Sequence, residues 1–255
     1  MPTLEFYLNY QKTLENMIEQ GEKEVKVKLQ KLETRLAQMN NNFILGQPRI
    51  YGNDTYYGNI IGEDRNGVGL YTYKAGCTYF GEWSNNKRHG EGTATYPNNF
   101  ELKTYKGEQI GGNRNGFGTS EYHIGDCYIG NFIEDERHGF GIYKGSFTKK
   151  GLFGDGGGKI TGVDIFSETI FWGTFNSIKD CTGIGLLYNN GILEYAGNYL
   201  NGKKHGHGFQ KKEDDFEEGL FADGKLIISQ GIVISNFKKS LLDNSKFDVI
   251  IVTEF

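Results

Sequence analysis

Three histidines recur at one place in a repeated pattern, and histidine is a common zinc ligand. His89, His138 and His205 each stand directly before a glycine, in the second, fourth and seventh copies of that pattern. Zinc needs its donor atoms about 2 Å from one ion, whereas equivalent positions in these copies would lie about 20 Å or more apart in a β-sheet. The spacing therefore predicts turn-side histidines and no metal site.

A glycine-rich stretch is the second candidate for chemistry, because phosphate-binding loops are rich in glycine. It runs from Gly154 to Thr161 and includes Lys159. The phosphate-loop pattern requires glycine where Phe153 stands, and serine or threonine where Ile160 stands. We therefore expect a flexible turn here. Since no Ser/His/Asp or Cys/His set is arranged convincingly, the sequence predicts no catalytic residue, no cofactor and no enzyme.

A row of basic residues is the third candidate. Each member precedes a Gly-x-Gly pair by two residues, so we expect a basic row along one edge of the structure: Arg65, Arg88, Arg114, Arg137 and Lys204. Three residues after each repeat start comes a second row of acidic or amide residues: Glu82, Glu108, Asn131 and Asn198. The basic row is either solvated charge with occasional cross-strand pairing, or a binding surface for an acidic protein or lipid headgroups.

The repeat that carries these residues is clearest from Tyr79 to Gly92. It has a Tyr-x-Gly start, a large aromatic residue two positions later, a short polar turn, a basic residue and a Gly-x-Gly pair. The period is about 23 residues, which is typical of repeat architectures. We place the starts at Tyr57, Tyr79, Tyr105, Tyr128, Leu152, Phe171, Tyr195 and near Glu217, with the copies at 152 and 217 weak.

Each repeat has the signals of one β-hairpin. Its aromatic run alternates with a period of two, which is a strand pattern, and the Gly-x-Gly pair opens the return strand. A single hairpin is marginally stable, so each must pack against its neighbours. The sequence predicts a mainly β fold over residues 45–225, an elongated single-layer antiparallel sheet of successive hairpins.

Residues 1–44 are predicted to form an N-terminal α-helix and a linker. They are rich in helix-forming residues, and Asn40 to Asn42 with Pro48 end the helix. Apolar residues step by four and three to form a helix seam: Val25, Leu29, Leu32, Leu36 and Met39. This seam either packs on the protein's own sheet, docks onto a partner helix, or self-associates as a short coiled coil.

Residues 226–255 lack the repeat signature but contain two β-rich runs, Leu226 to Ile234 and Phe247 to Val252. We expect this segment to cover the open edge of the last hairpin, which would otherwise invite pairing with other chains. The alternative is that the edge is a docking strand for a partner.

The composition, charge and cysteine content of the chain argue against several classes of protein. Of 255 residues, 37% are hydrophobic, 14% are aromatic and 38 are glycine, which suits a repetitive β structure. The formal charge of −4 argues against a nucleic-acid partner. Cys77, Cys127 and Cys181 are odd in number and widely separated, so no disulfide framework is expected. Since no stretch resembles a membrane span or a secretory signal, we expect a cytoplasmic protein.

The repeat resembles the MORN repeat, the membrane occupation and recognition nexus motif. Tyr79 to Gly92, Tyr128 to Gly141 and Tyr195 to Gly208 fit its pattern closely. The similarity covers about residues 50–225 and weakens over residues 152–170 and at Asp180 to Gly183, where we expect a kink or an insertion. The resemblance implies a hairpin array used in scaffolding, in cytoskeletal and ciliary assemblies, or in phosphoinositide-related membrane contacts.

On this resemblance we expect a non-catalytic scaffold that binds partner proteins through its repeats and its helix. Its setting would be a cytoskeletal or ciliary assembly, by analogy with MORN proteins of axonemal radial spokes. The alternative is a peripheral membrane adaptor whose basic row binds acidic phospholipids. About 30 residues follow the last repeat, too few for the catalytic domain that some MORN-containing enzymes carry.

Overall fold

The computed structural model describes residues 1–154, 159–175 and 181–233. Within these ranges the chain forms one long N-terminal helix and 17 β-strands. The chain divides into two compact units, one made of Met1–Thr13 and Val163–Phe255, the other of Leu14–Gly162. The helix contributes residues to both units.

The elements follow one another with short turns between them. The helix α1 spans Leu4–Asn42. The next ten elements are the strands β1 (Arg49–Tyr51), β2 (Asp54–Ile61), β3 (Asp64–Thr72), β4 (Thr78–Ser84), β5 (Lys87–Thr95), β6 (Leu102–Ile110), β7 (Asn113–Tyr122), β8 (Cys127–Ile133), β9 (Glu136–Lys144) and β10 (Thr148–Phe153). The remaining strands are β11 (Ile160–Phe166), β12 (Thr169–Phe175), β13 (Cys181–Asn189), β14 (Ile192–Leu200), β15 (Lys203–Lys212), β16 (Asp215–Ala222) and β17 (Lys225–Val233).

Strands that are consecutive in the chain pair antiparallel in each unit. In the unit of residues 14–162, β1 to β10 form an uninterrupted series of such pairs. In the other unit, β12 to β17 do the same. The prediction of a mainly β, antiparallel array of successive hairpins with an N-terminal helix is therefore confirmed.

Glycines set the register of the array. Gly81 pairs with Gly92, Gly92 with Gly107 and Gly107 with Gly118, so the same repeat position recurs opposite itself across the sheet. Because side chains alternate between faces along a strand, this register separates two faces. We call the side with Tyr79, Tyr105 and Tyr128 the ring face, and the side with Glu91, Phe117 and Phe140 the helix face.

The hairpins close through turns with left-handed backbone. Asn85 has a φ of 49° and Asn86 a φ of 67°, which is the conformation of a two-residue type I′ turn. Asparagine tolerates this conformation better than most residues. The polar turn residues predicted from the repeat are therefore the residues that this hairpin geometry requires.

Helix α1 places its apolar stripe against the rest of the chain. In the unit of residues 14–162, Leu14, Ile18, Val25, Leu29 and Leu32 are buried, at intervals of three, four or seven residues. Leu36 and Met39 are half-buried. Of the three alternatives for the seam, packing on the protein's own sheet describes Val25, Leu29 and Leu32, which the rest of the chain covers.

The helix matches the spacing of the repeats. Its Gly21 packs against the Phe140 ring, Lys28 lies 5.9 Å from the centroid of Phe117, and Arg35 bonds to Glu91 at 3.1 Å. The three sheet residues are the central residues of three successive Gly-x-Gly pairs. Seven helical residues advance about 10.5 Å and two strands advance about 10 Å, so each heptad spans one repeat.

Two repeat starts differ from those we predicted. The first is Tyr56, not Tyr57, because Tyr56 is the buried ring whose hydroxyl donates to the Asn59 carbonyl oxygen. The weak copy starts at Lys149, not Leu152, because Gly151 pairs with Gly141 in the register of the other glycines. Lysine in place of tyrosine concealed this start in the sequence.

Three predictions fall partly outside the described residues. The glycine-rich turn includes residues 155–158, and the weak repeat at Asp180 to Gly183 includes Asp180. The C-terminal segment is described to Val233, where strand β17 pairs with β16. The covering role proposed for residues 234–255, including Phe247 to Val252, lies outside them.

Candidate functional site

The ring face is built from tyrosines that lie over glycines. In the clearest repeat, the Tyr79 hydroxyl donates to the Glu82 carbonyl oxygen at 3.1 Å. Its ring covers Gly92 so closely that a Cβ there would lie 2.5 Å from the hydroxyl oxygen. The equivalent hydroxyls of Tyr105 and Tyr128 donate to the carbonyl oxygens three residues ahead. The Tyr-x-Gly and Gly-x-Gly signatures are therefore two halves of one packing unit.

A second ring completes the packing unit in the repeats that start at Tyr79 and Tyr128. Trp83 meets Tyr79 edge-to-face with 5.2 Å between ring centroids, and Phe132 meets Tyr128 in the same way at 5.1 Å. Phe132 also meets Tyr105, in the preceding repeat, at 5.5 Å. Edge-to-face pairs at this separation are stabilising. Where the second ring is present, it therefore links its repeat to the one before it.

Gln109 replaces the second ring in the repeat that starts at Tyr105. Its side chain is 1% exposed, and its Oε1 is buried with no hydrogen-bond partner among the described residues. An unsatisfied buried amide oxygen costs about 1–3 kcal/mol. This repeat is therefore a weak point of the ring face.

The basic row lies on the rings of this face. The Arg88 guanidinium is 5.6 Å from the centroid of Tyr79, and that of Arg137 is 5.6 Å from Tyr128 and 5.2 Å from Tyr143. Such distances are those of cation–π contacts. The structure places these half-buried cations on the ring face, each as the second residue of its strand.

Arg65 and Arg114 have the same role as Arg88 and Arg137. Arg65 is 4.6 Å from the ring centroids of both Tyr71 and Trp83. Arg114 is 5.0 Å from that of Phe132. The stacking needs rings from neighbouring strands, which only the folded array brings together, so the sequence pattern alone did not reveal it.

Three arginines also bridge to the turn of the next repeat. Arg65 Nη2 donates to the carbonyl oxygen of Asn86 at 3.0 Å, and Arg88 Nη2 donates to that of Gly112 at 2.9 Å. Arg114 Nε lies 3.0 Å from Oδ1 of Asp135. The arginines therefore connect neighbouring repeats, in addition to carrying surface charge.

Lys204 is the member of the row in the other unit. Its Nζ lies 4.9 Å from the centroid of Tyr195 and donates to Oε1 of Gln210 at 2.9 Å. Burial lowers the pKa of Lys204. Lys204 thus repeats the stacking of the arginines without their bridge to a neighbouring turn carbonyl.

The row of acidic and amide residues binds the backbone of the Gly-x-Gly segment. Glu82 Oε2 accepts a hydrogen bond from the Glu91 backbone N–H at 3.0 Å. Asn198 donates to the carbonyl oxygen of His207 at 3.2 Å, and Asn131 donates to that of Phe140. A carboxylate and an amide can both bind this segment, because its backbone offers an N–H donor to the carboxylate and a carbonyl acceptor to the amide. We predicted the row but not this function.

Burial keeps the tyrosines of the ring face neutral. Burial raises the pKa of Tyr56 and of Tyr71 to about 12, with Asp54 adding to the effect at Tyr71. It also raises the pKa values of Tyr79, Tyr105 and Tyr128. Neutral rings with their hydroxyls bonded to the backbone are suited to packing and to cation contacts, and not to acid–base catalysis.

A polar cluster that the sequence did not predict lies in the unit of residues 1–13 and 163–255. His207 Nε2 is 2.8 Å from Oε1 of Glu218, and His207 Nδ1 is 3.5 Å from the Tyr7 hydroxyl. Tyr7 and His207 are buried. His207 is the central residue of a Gly-x-Gly pair, the position of Glu91 and Phe140 on the helix face. That equivalence was the available signal for a contact with the helix.

The histidines singled out by their repeat position do not form this cluster. His89 and His205 are exposed and His138 is half-buried. Within the described ranges, no group of three His, Cys, Asp or Glu side chains is placed to hold a metal ion. In the same ranges, no helix is both long and apolar enough to span a membrane.

Comparison with protein families matches four segments of the chain to the MORN repeat: residues 64–78, 79–99, 128–146 and 195–214. Comparison with curated proteins finds no match. The repeat that contains Gln109 is outside the four segments, although its strands pair in the same register. The matches indicate a structural or binding role. The chain therefore contains MORN repeats, whose signature residues build the ring face.

Proposed function

We propose that this protein is a non-catalytic scaffold that binds partner proteins in the cytoplasm, within a cytoskeletal or ciliary assembly such as an axoneme. The observation that carries the proposal is the composition of the ring face. Half-buried arginines recur there over buried tyrosines, in the four repeats that start at Tyr56, Tyr79, Tyr105 and Tyr128. Arginine is one of the residue types that dominate the binding energy of protein interfaces. The arginine side chains are held by stacking and hydrogen bonds, so binding would cost little ordering entropy.

Helix α1 supports the scaffold and is not itself free for docking. Its apolar stripe is buried by the rest of the chain, and its contacts match the repeats heptad by heptad. Self-association through the seam would first have to remove this cover from Val25, Leu29 and Leu32. The repeats therefore supply the partner surface in this proposal, and the helix stiffens it.

A peripheral membrane adaptor is the second candidate function. Polybasic lipid-binding segments present clusters of free lysines and arginines to anionic headgroups. Here Arg65, Arg88 and Arg114 donate hydrogen bonds to neighbouring turns, and the whole chain carries a formal charge of −4. These features favour a protein partner over a lipid surface.

Detergent extraction of cells that express the tagged full-length chain tests the proposal. A scaffold within a cytoskeletal or ciliary assembly is expected to remain with the insoluble fraction after membranes are dissolved. Complete release into the soluble fraction would contradict that setting. Flotation of the purified chain with anionic vesicles then separates a membrane adaptor from a protein that is merely soluble.

A further inference from the structure

We propose that the ring face of residues 14–162 binds an extended acidic segment of a partner protein, with two carboxylates six residues apart. This inference rests on the proposed scaffold function and names the chemistry of its partner. It follows from the charges on the face, from their spacing and from which face the helix leaves open.

The charges of the row are not equivalent. Arg114 is already paired with the carboxylate of Asp135. Arg88 instead donates to a neutral carbonyl, that of Gly112, and Arg137 stacks on Tyr128 and Tyr143. Arg88 and Arg137 therefore present positive charge on either side of a neutralised position. A ligand that matches this pattern has acidic, neutral and acidic residues in turn.

The spacing selects an extended ligand. Arg88 and Arg137 occupy equivalent positions two repeats apart, which is four strands or about 19 Å. A polyproline II segment rises about 3.1 Å per residue and returns to the same side every third residue. Six residues therefore span about 19 Å and place both carboxylates on one side. An α-helix would cover only about 9 Å in six residues.

The ring face also carries tyrosines against which such a segment would pack. Tyr122 and Tyr143 are half-buried, and strand alternation places both on the ring face. Tyr143 lies beside Arg137, whose guanidinium is 5.2 Å from its ring centroid. Aromatic-lined grooves bind proline-rich extended segments because these are already ordered before binding. The opposite face is occupied by α1, through Gly21, Lys28 and Arg35.

The test measures binding of two synthetic peptides to the purified full-length chain by fluorescence anisotropy. Both contain two glutamates in a proline-rich background of equal length and composition. In one the glutamates are six residues apart, and in the other they are adjacent. We expect the spaced peptide to bind about tenfold more tightly, with affinity falling as salt is added.

Variants locate the binding site. Arg88→Gln and Arg137→Gln are each expected to weaken binding of the spaced peptide about fivefold. Lys87→Gln removes the same charge from an exposed neighbour of Arg88 and is expected to leave binding unchanged. Arg88→Lys keeps the charge, and it should retain more affinity than Arg88→Gln. Thermal unfolding confirms that each variant is folded at the temperature of the assay.

Several results would overturn the proposal. Equal binding of the two peptides, equal loss with Lys87→Gln, or no binding to either peptide each rejects it. Binding to anionic vesicles without binding to the peptide rejects it in favour of a lipid surface. If the tagged chain stays with the detergent-insoluble fraction but does not bind the peptide, this inference fails while the scaffold function stands.

Discussion

Gln109 is a polar side chain where neighbouring repeats have an aromatic ring. It is fully buried and its Oε1 has no partner in the described structure. We predict that Gln109→Phe stabilises the protein by about 1–2 kcal/mol, because it removes the unsatisfied oxygen and supplies an edge to the adjacent tyrosines. Chemical denaturation with urea measures the change. Gln109→Asn should destabilise, and a loss of stability with phenylalanine would contradict our account of this position.

Gly92 has space for no side chain. A Cβ there would lie 2.5 Å from the Tyr79 hydroxyl oxygen and 2.6 Å from its ring. Its φ is not left-handed, so only the close approach of the ring demands glycine. We expect Gly92→Ala to cost about 3 kcal/mol, because the ring must leave its place. Gly46→Ala is the control, since nothing lies within 4 Å of a Cβ at Gly46. Equal effects of the two changes on the urea midpoint would refute this explanation.

Glu91 makes stability depend on pH. Burial raises the pKa of Glu91 above its ordinary value of 4.5, Glu82 and Glu108 add to the rise, and Arg35 opposes it. The folded state therefore holds the proton more tightly than the unfolded state, so stability falls as the pH rises from 4.5 through the raised pKa. We predict that Glu91→Gln removes this decline and stabilises the protein at pH 7 by less than about 1 kcal/mol.

Unfolding by urea at several pH values between 4 and 7 measures this effect. The difference between Glu91→Gln and the unmodified protein should grow as the pH rises and vanish at the acid end. Glu101→Gln, at an exposed turn position, should show no such trend. A difference that is the same at every pH would show that the carboxylate does not carry this free energy.

Helix α1 is held to the sheet by one buried ion pair in particular. Lys150 Nζ lies 2.6 Å from Oε1 of Glu22, and the lysine side chain is 4% exposed. Removing one partner of a buried pair leaves an uncompensated charge. We therefore expect Glu22→Gln to cost about 3 kcal/mol, measured by urea denaturation.

An exposed pair on the same helix provides the comparison. Glu19 and Lys23 are 68% and 66% exposed, so Glu19→Gln should change stability by less than about 0.5 kcal/mol. Adding Lys150→Met to Glu22→Gln should restore much of the lost stability, because it removes the unpaired charge. Failure of this double variant to recover would mean that the pair is not what anchors the helix.

Among the elements, the hairpins could be predicted from the sequence. The contacts between one element and the next could not. Tyr-x-Gly and Gly-x-Gly are local signals, and they predicted the strands, the turns and the period. The seam of α1 was also visible, but a periodic stripe does not say what covers it. The start at Lys149 was missed because lysine there carries no strand or repeat signal. The cation–π contacts were missed because they depend on the distance between neighbouring repeats.

Across the whole molecule, the basic row is part of the fold, and in our proposal it is also part of a binding surface. The repeat pattern predicted which residues form the row. From the sequence alone we interpreted them as solvated charges or as ligand-binding charges. The structure adds their ring contacts and their hydrogen bonds to the next turn. The MORN repeats indicate a structural or binding role, and the cytoskeletal or ciliary setting remains a prediction of the proposed function.

Comparing the stability of Arg114→Ala with that of Lys87→Ala tests whether the basic row holds neighbouring repeats together. Arg114 stacks on Phe132, pairs with Asp135 and donates to Ser120, whereas Lys87 is exposed. Both substitutions remove one positive charge. Urea denaturation should show a loss of about 2 kcal/mol for Arg114→Ala and less than about 0.5 kcal/mol for Lys87→Ala. Equal, small losses would contradict the claim that the basic row braces the repeats.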